Sequence, residues 1–477
     1  MASEIGKTNA THQDTPQITD LILQAAEKAR REVENQPEPE LTRPVEWPVS
    51  CTVGPGLEGA IACETKIGYV NGTRGWLLYR GYDIFDLCAY STFEEVSYLL
   101  IHGTLPTAQQ LYTFQAQLHE YGHIPKTCRI LMGFPVEEMN AMAALRIGTN
   151  MMRQEFTYVD REVGRPDLLE AIAADEDSIP METPPRGERK AIYEFRKGAP
   201  RKPADVEPEL EEASSLESAY HLIAGVASIA AAVHRMRNRR LPVEPDPELS
   251  HAANLIYMMT GRRPTPVEER VMDVALILHA DHGMNASTFA AMVVASTLSD
   301  MYFAVGSGIA ALSGPLHGGA NEQVIRSLEE IGSVDNVKEW YKKARAQKRR
   351  IMGFGHRVYK AYDPRARVLG PLAEYMAADD ARCSPLLSIA KALEHEVVST
   401  LGKDKGIFPN VDFYSGIVYA CLGMPLEMYT PLFAVSRVAG WTARILEYLE
   451  NNRIFRPRAM YNGPFDKQYV PLDKRSS

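Results

Sequence analysis

The sequence predicts a mainly α-helical protein with one small β-hairpin near its N-terminus, and three observations carry that expectation. Apolar residues recur at three- and four-residue spacing through most of the chain beyond Thr92. Strand-like patterning with a turn signal is confined to one short stretch. A hydrophobic content of 45% over 477 residues suffices for a large buried core, and the length suggests more than one domain.

Residues 1–50 read as an N-terminal extension. A polar tail is followed by apolar residues at helical spacing (Ile18, Leu21, Ile22, Ala25, Ala26) and then by a Pro-rich stretch at 37–48. The hairpin is expected over 64–70 and 75–79 around Asn71-Gly72, a pair suited to the left-handed conformations of a tight type I′ turn. Helices follow around Leu100, 111–118, 139–152, 268–280, 322–331 and 431–449. The most apolar stretch, 289–312, is interrupted by Ser296, Thr297, Ser299 and Asp300, which suits packed helices rather than a bilayer span. Residues 160–215 are dense in Pro and charge and read as a surface insertion that buries too little to offset its ordering entropy.

The charge balance, 61 acidic against 52 basic residues for a net −9, gives no sustained positive field and argues against a nucleic-acid partner. Six scattered cysteines without a C-x-x-C pair indicate neither a zinc ribbon nor a disulfide scaffold. The polar N-terminus has no signal-peptide character, so a cytoplasmic location with no membrane is expected.

Four stretches set ionisable groups beside small residues. His279-Ala280-Asp281-His282 closes an apolar run and precedes a helix start at Asn285, and it admits either a buried structural histidine or a metal set of His279, Asp281 and His282. Gly314 to Asn321 holds His317 before two glycines and a helix start, where free N–H groups keep an imidazole neutral and suited to donate to a developing enolate oxygen; a plain glycine-rich connection is the alternative. Gly353-Phe354-Gly355-His356 through Asp363-Pro364-Arg365 follows Lys348-Arg349-Arg350 and reads as an anion site with a proton carrier inside it. Asp412 lies in an apolar neighbourhood that would raise its basicity, or else caps the helix that follows.

Taken together, in order and spacing, these stretches resemble the citrate synthase family, bacterial type. Gly56-Leu57-Glu58-Gly59, Tyr79 to Ile84, Thr92 to Val96, His102 to Thr107 and Arg456-Pro457-Arg458 extend the resemblance to about 53–471. It implies a two-domain helical fold, with 51–317 and the returning 429–477 in a large domain and 318–428 in a small one. It further implies catalysis by His317, His356 and Asp412, oxaloacetate binding by His282, Arg365, Arg437 and Arg456, and CoA binding by Arg349, Arg350, Gly353, Gly355 and Lys360. No metal or other cofactor is implied; the substrates are acetyl-CoA and oxaloacetate. A homodimer or larger homo-oligomer is implied, with Arg456 reaching in from the partner subunit.

The chain departs from the family pattern in the 160–215 insertion and in Gly283, where many members have Glu. Rival readings are a 2-methylcitrate synthase acting on propionyl-CoA, a metal-dependent hydrolase built on His279, Asp281 and His282, and a non-catalytic family member.

Overall fold

The computed structural model describes residues 15–34, 47–153, 155, 215–378, 380–464 and 467–475. The expected insertion and most of the Pro-rich stretch lie outside them, apart from Ser215.

Helices α1 (Pro16–Val33), α2 (Ile84–Tyr90), α3 (Phe93–His102), α4 (Ala108–Tyr121), α5 (Pro125–Met132) and α6 (Ala141–Met151) precede the insertion. Then come α7 (Leu216–Arg237), α8 (His251–Thr260), α9 (Pro266–His279), α10 (Ala286–Ala295) and α11 (Met301–Leu312). The last third adds α12 (Ala320–Ile331), α13 (Val337–Ala346), α14 (Pro364–Ala377), α15 (Cys383–Val397), α16 (Val411–Cys421) and α17 (Tyr429–Leu449). The fold class is thus the expected mainly α one.

Local chemistry accounts for many helix starts. Thr92, Thr107 and Thr265 each form a capping box with the residue three positions on, so two orphan N–H groups at each start are satisfied reciprocally. Asn285, Asp300, Asp363 and Asn410 cap α10, α11, α14 and α16 with their side chains. The Asp300 cap splits the apolar stretch into α10 and α11, which pack on each other.

Helix α17 is buried along most of its length and packs on α3, α7, α9, α10 and α11. By length and apolarity α7 would suit a bilayer, but 89% of its most apolar window is buried, among helices that include α4, α6, α8 and α17. A second set, α12 to α16, is linked by packing of α16 on α12 and α14 and of α15 on α13 and α14. Helix α1 touches both sets, lying on α2 and α14 with Ile18, Ile22, Ala25 and Ala26 buried.

The hairpin is present but its turn is not the expected one. Strands β1 (Gly68–Asn71) and β2 (Trp76–Tyr79) pair antiparallel with Asn71 opposite Trp76, leaving a four-residue connection, and a short β3 (Tyr82–Asp83) adds to β2. Asn71 Oδ1 accepts from the N–H groups of Thr73 (3.1 Å) and Arg74 (2.9 Å), a side-chain turn that replaces the two-residue one, and the left-handed residue is Gly75 (φ 64°). Gly72 serves close approach instead: a Cβ there would sit 2.0 Å from the Val358 carbonyl oxygen, and Lys360 N–H donates to Gly72 O at 2.9 Å. The hairpin is therefore laced to the loop that carries His356.

Candidate active site

His356 and Asp412 stand on two loops bound to each other. Asn410 N–H donates to Gly353 O and its Nδ2 to Gly355 O, both at 2.9 Å, while Phe354 and Pro409 form an isolated bridge. Gly353 is obligatory here, with φ 80° and a hypothetical Cβ only 2.7 and 2.8 Å from Val324 and Phe413. Gly355 also has positive φ (76°).

Asp363 ties the same region to α14. It caps the helix through Arg365 N–H, takes a bidentate fork from Arg365 (3.0 and 2.7 Å) and accepts from Val411 N–H at the start of α16 (3.2 Å). Arg365 is 2% exposed; burial alone would lower its pKa, but Asp363 holds it above the ordinary value.

The histidine tautomers follow from their backbone partners. His356 Nδ1 accepts from the N–H groups of Val358 (3.0 Å) and Tyr359 (3.2 Å), so the proton of the neutral ring is on Nε2. His317 Nε2 accepts from Ser287 N–H (3.2 Å) and lies 2.8 Å from Ser287 Oγ, which puts the proton on Nδ1. Burial, aided by Arg365 for His356 and by Arg437 for His317, depresses each to about 4. Both rings are neutral N–H donors at physiological pH.

Asp412 does not cap α16. Asn410 does, its Oδ1 accepting Asp412 N–H at 3.0 Å, and the Asp412 carboxylate has a buried Oδ1 with no hydrogen-bond partner among the described residues. Desolvation pushes this acid up to about 7 against the opposing pull of Arg365.

The stretch 279–282 turns its three polar side chains to separate partners. His279 Nδ1 meets Ala275 O at 2.7 Å, Asp281 takes both arms of buried Arg444 (2.7 and 2.8 Å), and His282 Nε2 lies 3.1 Å from Tyr359 OH. No group of three or more candidate ligands for a metal occurs among the described residues. With Asp281 committed to Arg444, the metal set expected as an alternative loses its carboxylate. His282 stacks edge-on to His356 with ring centres 5.1 Å apart, and Tyr359 lies beside both.

Arg437 is 1% exposed and forms no ion pair among the described residues. Its Nε donates to His279 O at 2.5 Å and its guanidinium lies 4.7 Å from the Phe433 ring centre. Burial lowers its pKa to about 10 against the pull of Asp281, so the group is a buried cation with no carboxylate paired directly to it among the described residues. Its charge is felt at His317, Asp412 and His282, and that of Arg365 at His356, Asp412 and His282. The expected catalytic groups therefore share two arginines.

Other expected residues lie further out. Arg349 forks onto Glu330 (2.8 and 2.7 Å) beside Trp340, and Lys360 is exposed. Arg350 is exposed, with a charge that reaches Asp412. Arg456 is exposed on the C-terminal segment, where its guanidinium donates to Pro457 O at 3.2 Å. Sequence reasoning missed Ser287, Tyr359, Asp363 and Asn410 as orienting groups. Asp-Pro before Arg365 and Asn before Val411 were legible cap signals, whereas nothing in the sequence links Ser287 to His317.

This arrangement offers two neutral imidazole donors, one carboxylate of raised basicity and a buried guanidinium. Residues 56–458 match the model of the family described as citrate synthase, C-terminal domain. The chain belongs to the citrate synthase family. A citrate synthase of Haloferax volcanii is 40% identical over 424 residues, covering 88% of this chain and 98% of that one. The crystal structure of citrate synthase from Pyrobaculum aerophilum superposes with a TM-score of 0.73 at 40% identity, covering 91% of this chain and all of that one. A ternary complex of carboxymethyl coenzyme A and oxaloacetate with the Thermoplasma acidophilum enzyme gives 0.73 at 33% identity, covering 89% of this chain and all of that one.

Proposed function

We propose that His317, His356 and Asp412 carry out citrate synthesis, with Arg437 and His282 as principal holders of oxaloacetate. The reaction follows from family membership: acetyl-CoA condenses with oxaloacetate and the thioester is then hydrolysed, an acyl transfer that forms a carbon–carbon bond. Relatives 40% identical carry the name citrate synthase, which favours acetyl-CoA over the propionyl-CoA of a 2-methylcitrate synthase.

The observation that carries the residue assignment is the unpaired, desolvated carboxylate of Asp412, pushed up to about 7. A carboxylate of that basicity suits removal of a weakly acidic methyl proton. As the proton leaves, His317 Nδ1–H donates to the thioester oxygen, whose growing negative charge a neutral imidazole stabilises without becoming an acid itself. The enolate carbon attacks the oxaloacetate ketone, and His356 Nε2–H supplies the proton to the resulting alkoxide. Citryl-CoA forms, and water cleaves its thioester to citrate and CoA.

Oxaloacetate brings two carboxylates, and the guanidinium of buried Arg437, which forms no ion pair among the described residues, suits one of them. Arg365, already forked onto Asp363, joins His282 as a second contact in this reading. Arg456, exposed on its own subunit, fits a contact across a homodimer. Residues 318–428 would form the small domain that closes over the substrates, with the 353–355 backbone, Arg349, Arg350 and Lys360 toward CoA. The setting is the cytoplasm, and the assigned chemistry asks for no metal.

Thiol release from acetyl-CoA, strictly dependent on oxaloacetate and lost in Asp412→Ala while oxaloacetate still binds, is the expected result. Wild-type rates in that variant would remove Asp412 from its role.

A further inference from the structure

One carboxylate outside the assigned site grips two residues that flank it. Glu394 of α15 is half-buried, and each of its oxygens takes a phenol: Tyr362 OH donates to Oε1 at 2.5 Å and Tyr414 OH donates to Oε2. The phenols come from the two segments that bear the proposed chemistry. Tyr362 precedes Asp363 at the end of the loop that carries His356, and Tyr414 stands two residues after Asp412 on α16, 3% exposed. Burial raises the pKa of both phenols and the Glu394 charge raises it further, so both remain protonated donors.

Each ring is confined by its neighbours. The Arg367 guanidinium lies 4.5 Å from the Tyr362 ring centre, with Phe408 at 6.0 Å on the same ring. Tyr414 meets Phe413 edge-on at 5.0 Å, and α14 passes so near that a Cβ on Gly370 would sit 3.4 Å from the Tyr414 ring. Helix α15 packs on α12, α13, α14 and α16, so the carboxylate is anchored by a helix rather than a loop. Hydroxyl bonds to an ionised acceptor are stronger than neutral ones, and two converge here on one group. The bonds from Asn410 to Gly353 and Gly355 and from Val411 to Asp363 already join the two segments; Glu394 adds a tie from a third element.

We propose that Glu394 is a positioning residue for the condensation, which sets the spacing between the His356 loop and Asp412 by holding Tyr362 and Tyr414 together. Its effect passes through those phenols, and the proposal rests on the roles given above to His356 and Asp412. Oxaloacetate is assigned chiefly to Arg437 and His282, neither of which bonds to Glu394, so chemistry and substrate affinity should respond differently.

Glu394→Gln keeps the side-chain shape but offers the two phenols a single accepting oxygen. It is expected to lower kcat about tenfold while the KM for oxaloacetate changes less than about twofold. Tyr362→Phe and Tyr414→Phe, each losing one hydroxyl and keeping its ring, should lower kcat about threefold, yet neither should add more than about twofold in the Glu394→Gln background, because the shared contact is lost only once. Should Glu394→Gln fail to fold, the two phenylalanine variants carry the same comparison of kcat with KM. An unaltered kcat, a fall in kcat matched by a rise in the KM for oxaloacetate, or losses that multiply in the double variants overturns the proposal. Absent oxaloacetate-dependent thiol release by the unaltered chain would strike the active-site reading and this one with it, whereas release by the unaltered chain with kcat intact in Glu394→Gln strikes this one alone.

Discussion

His317 Nε2 accepts the backbone N–H of Ser287 at 3.2 Å, so a main-chain donor at the start of α10 sets which nitrogen of this imidazole carries the proton. A main-chain donor survives side-chain replacement. Ser287→Ala is therefore expected to lose less than about tenfold in kcat, whereas His317→Ala, which removes the donor to the enolate oxygen, loses about 10² to 10³. Steady-state rates of both variants check this, and equal losses would mean that the Ser287 hydroxyl, not its N–H, sets the ring.

With Asp412 as the proposed base, activity should follow its titration. Its folded pKa of about 7 means the basic form is lost as pH falls through that value, so kcat/KM should decline below pH 7. Neither His317 nor His356, at about 4, contributes to that limb. A profile flat from pH 8 to pH 5.5 would contradict the assignment.

The same shift has a stability consequence of opposite sign to the usual carboxylate case. The unfolded pKa is near 3.9, so the native state binds more protons between about 4 and 7, and ionised Asp412 destabilises the fold above pH 7. A shift of this size corresponds to about 4 kcal/mol at pH 8. Asp412→Asn should raise Tm at pH 8, lose that advantage as pH falls through 7 toward 4, and be catalytically inert; thermal melts at the two pH values decide it.

Arg437 is a buried cation that forms no ion pair among the described residues, so oxaloacetate should stabilise the protein strongly through it. Arg437→Leu removes a desolvated charge and keeps the apolar stem, so the fold should tolerate it while oxaloacetate affinity falls by about 10² or more. The measurement is the oxaloacetate-induced rise in Tm, large in the unaltered chain and absent in the variant. A variant that retains the rise would assign the substrate carboxylates elsewhere.

Gly72 offers a test of how the hairpin supports the site. Any side chain there meets the Val358 carbonyl, next to the N–H that holds His356 Nδ1. Gly72→Ala should cost about 1 to 3 kcal/mol in stability and lower kcat through a displaced His356, without shifting the pH limb that belongs to Asp412.

That glycine also shows where sequence reasoning reaches its limit. Helical period, capping residues and the neighbourhoods of His317, His356 and Asp412 are local signals, and α1, α9, α12 and α17 lie where the spacing put them. Asn71-Gly72 carried the right local signal for a turn and the wrong turn, because the Asn71 side chain folds back on Thr73 and Arg74 while the Gly72 backbone answers to a loop nearly three hundred residues away. Tyr359 against His282 and Asp363 against Arg365 were hidden for a related reason: an orienting hydrogen bond is a property of two distant or mutually turned side chains, not of one motif. Arg365 thus reads in sequence as an open fork and in structure as one already closed on Asp363.

The choice between acyl donors depends on pocket shape near Asp412 and His317. A single extra methylene is worth about 1 to 3 kcal/mol in an apolar site, roughly 10- to 200-fold in kcat/KM. As the proposed base, Asp412 would reach the carbon alpha to the thioester in either donor, so propionyl-CoA should react by the same route but pay for its methyl against whatever lines that space. Acetyl-CoA is expected to be preferred by at least tenfold, with the His317→Ala and Asp412→Ala losses similar for both donors because the proton chemistry is shared. Comparison of kcat/KM for the two thioesters at saturating oxaloacetate measures this. A propionyl preference that vanishes in neither variant would keep the mechanism and reassign the product to 2-methylcitrate.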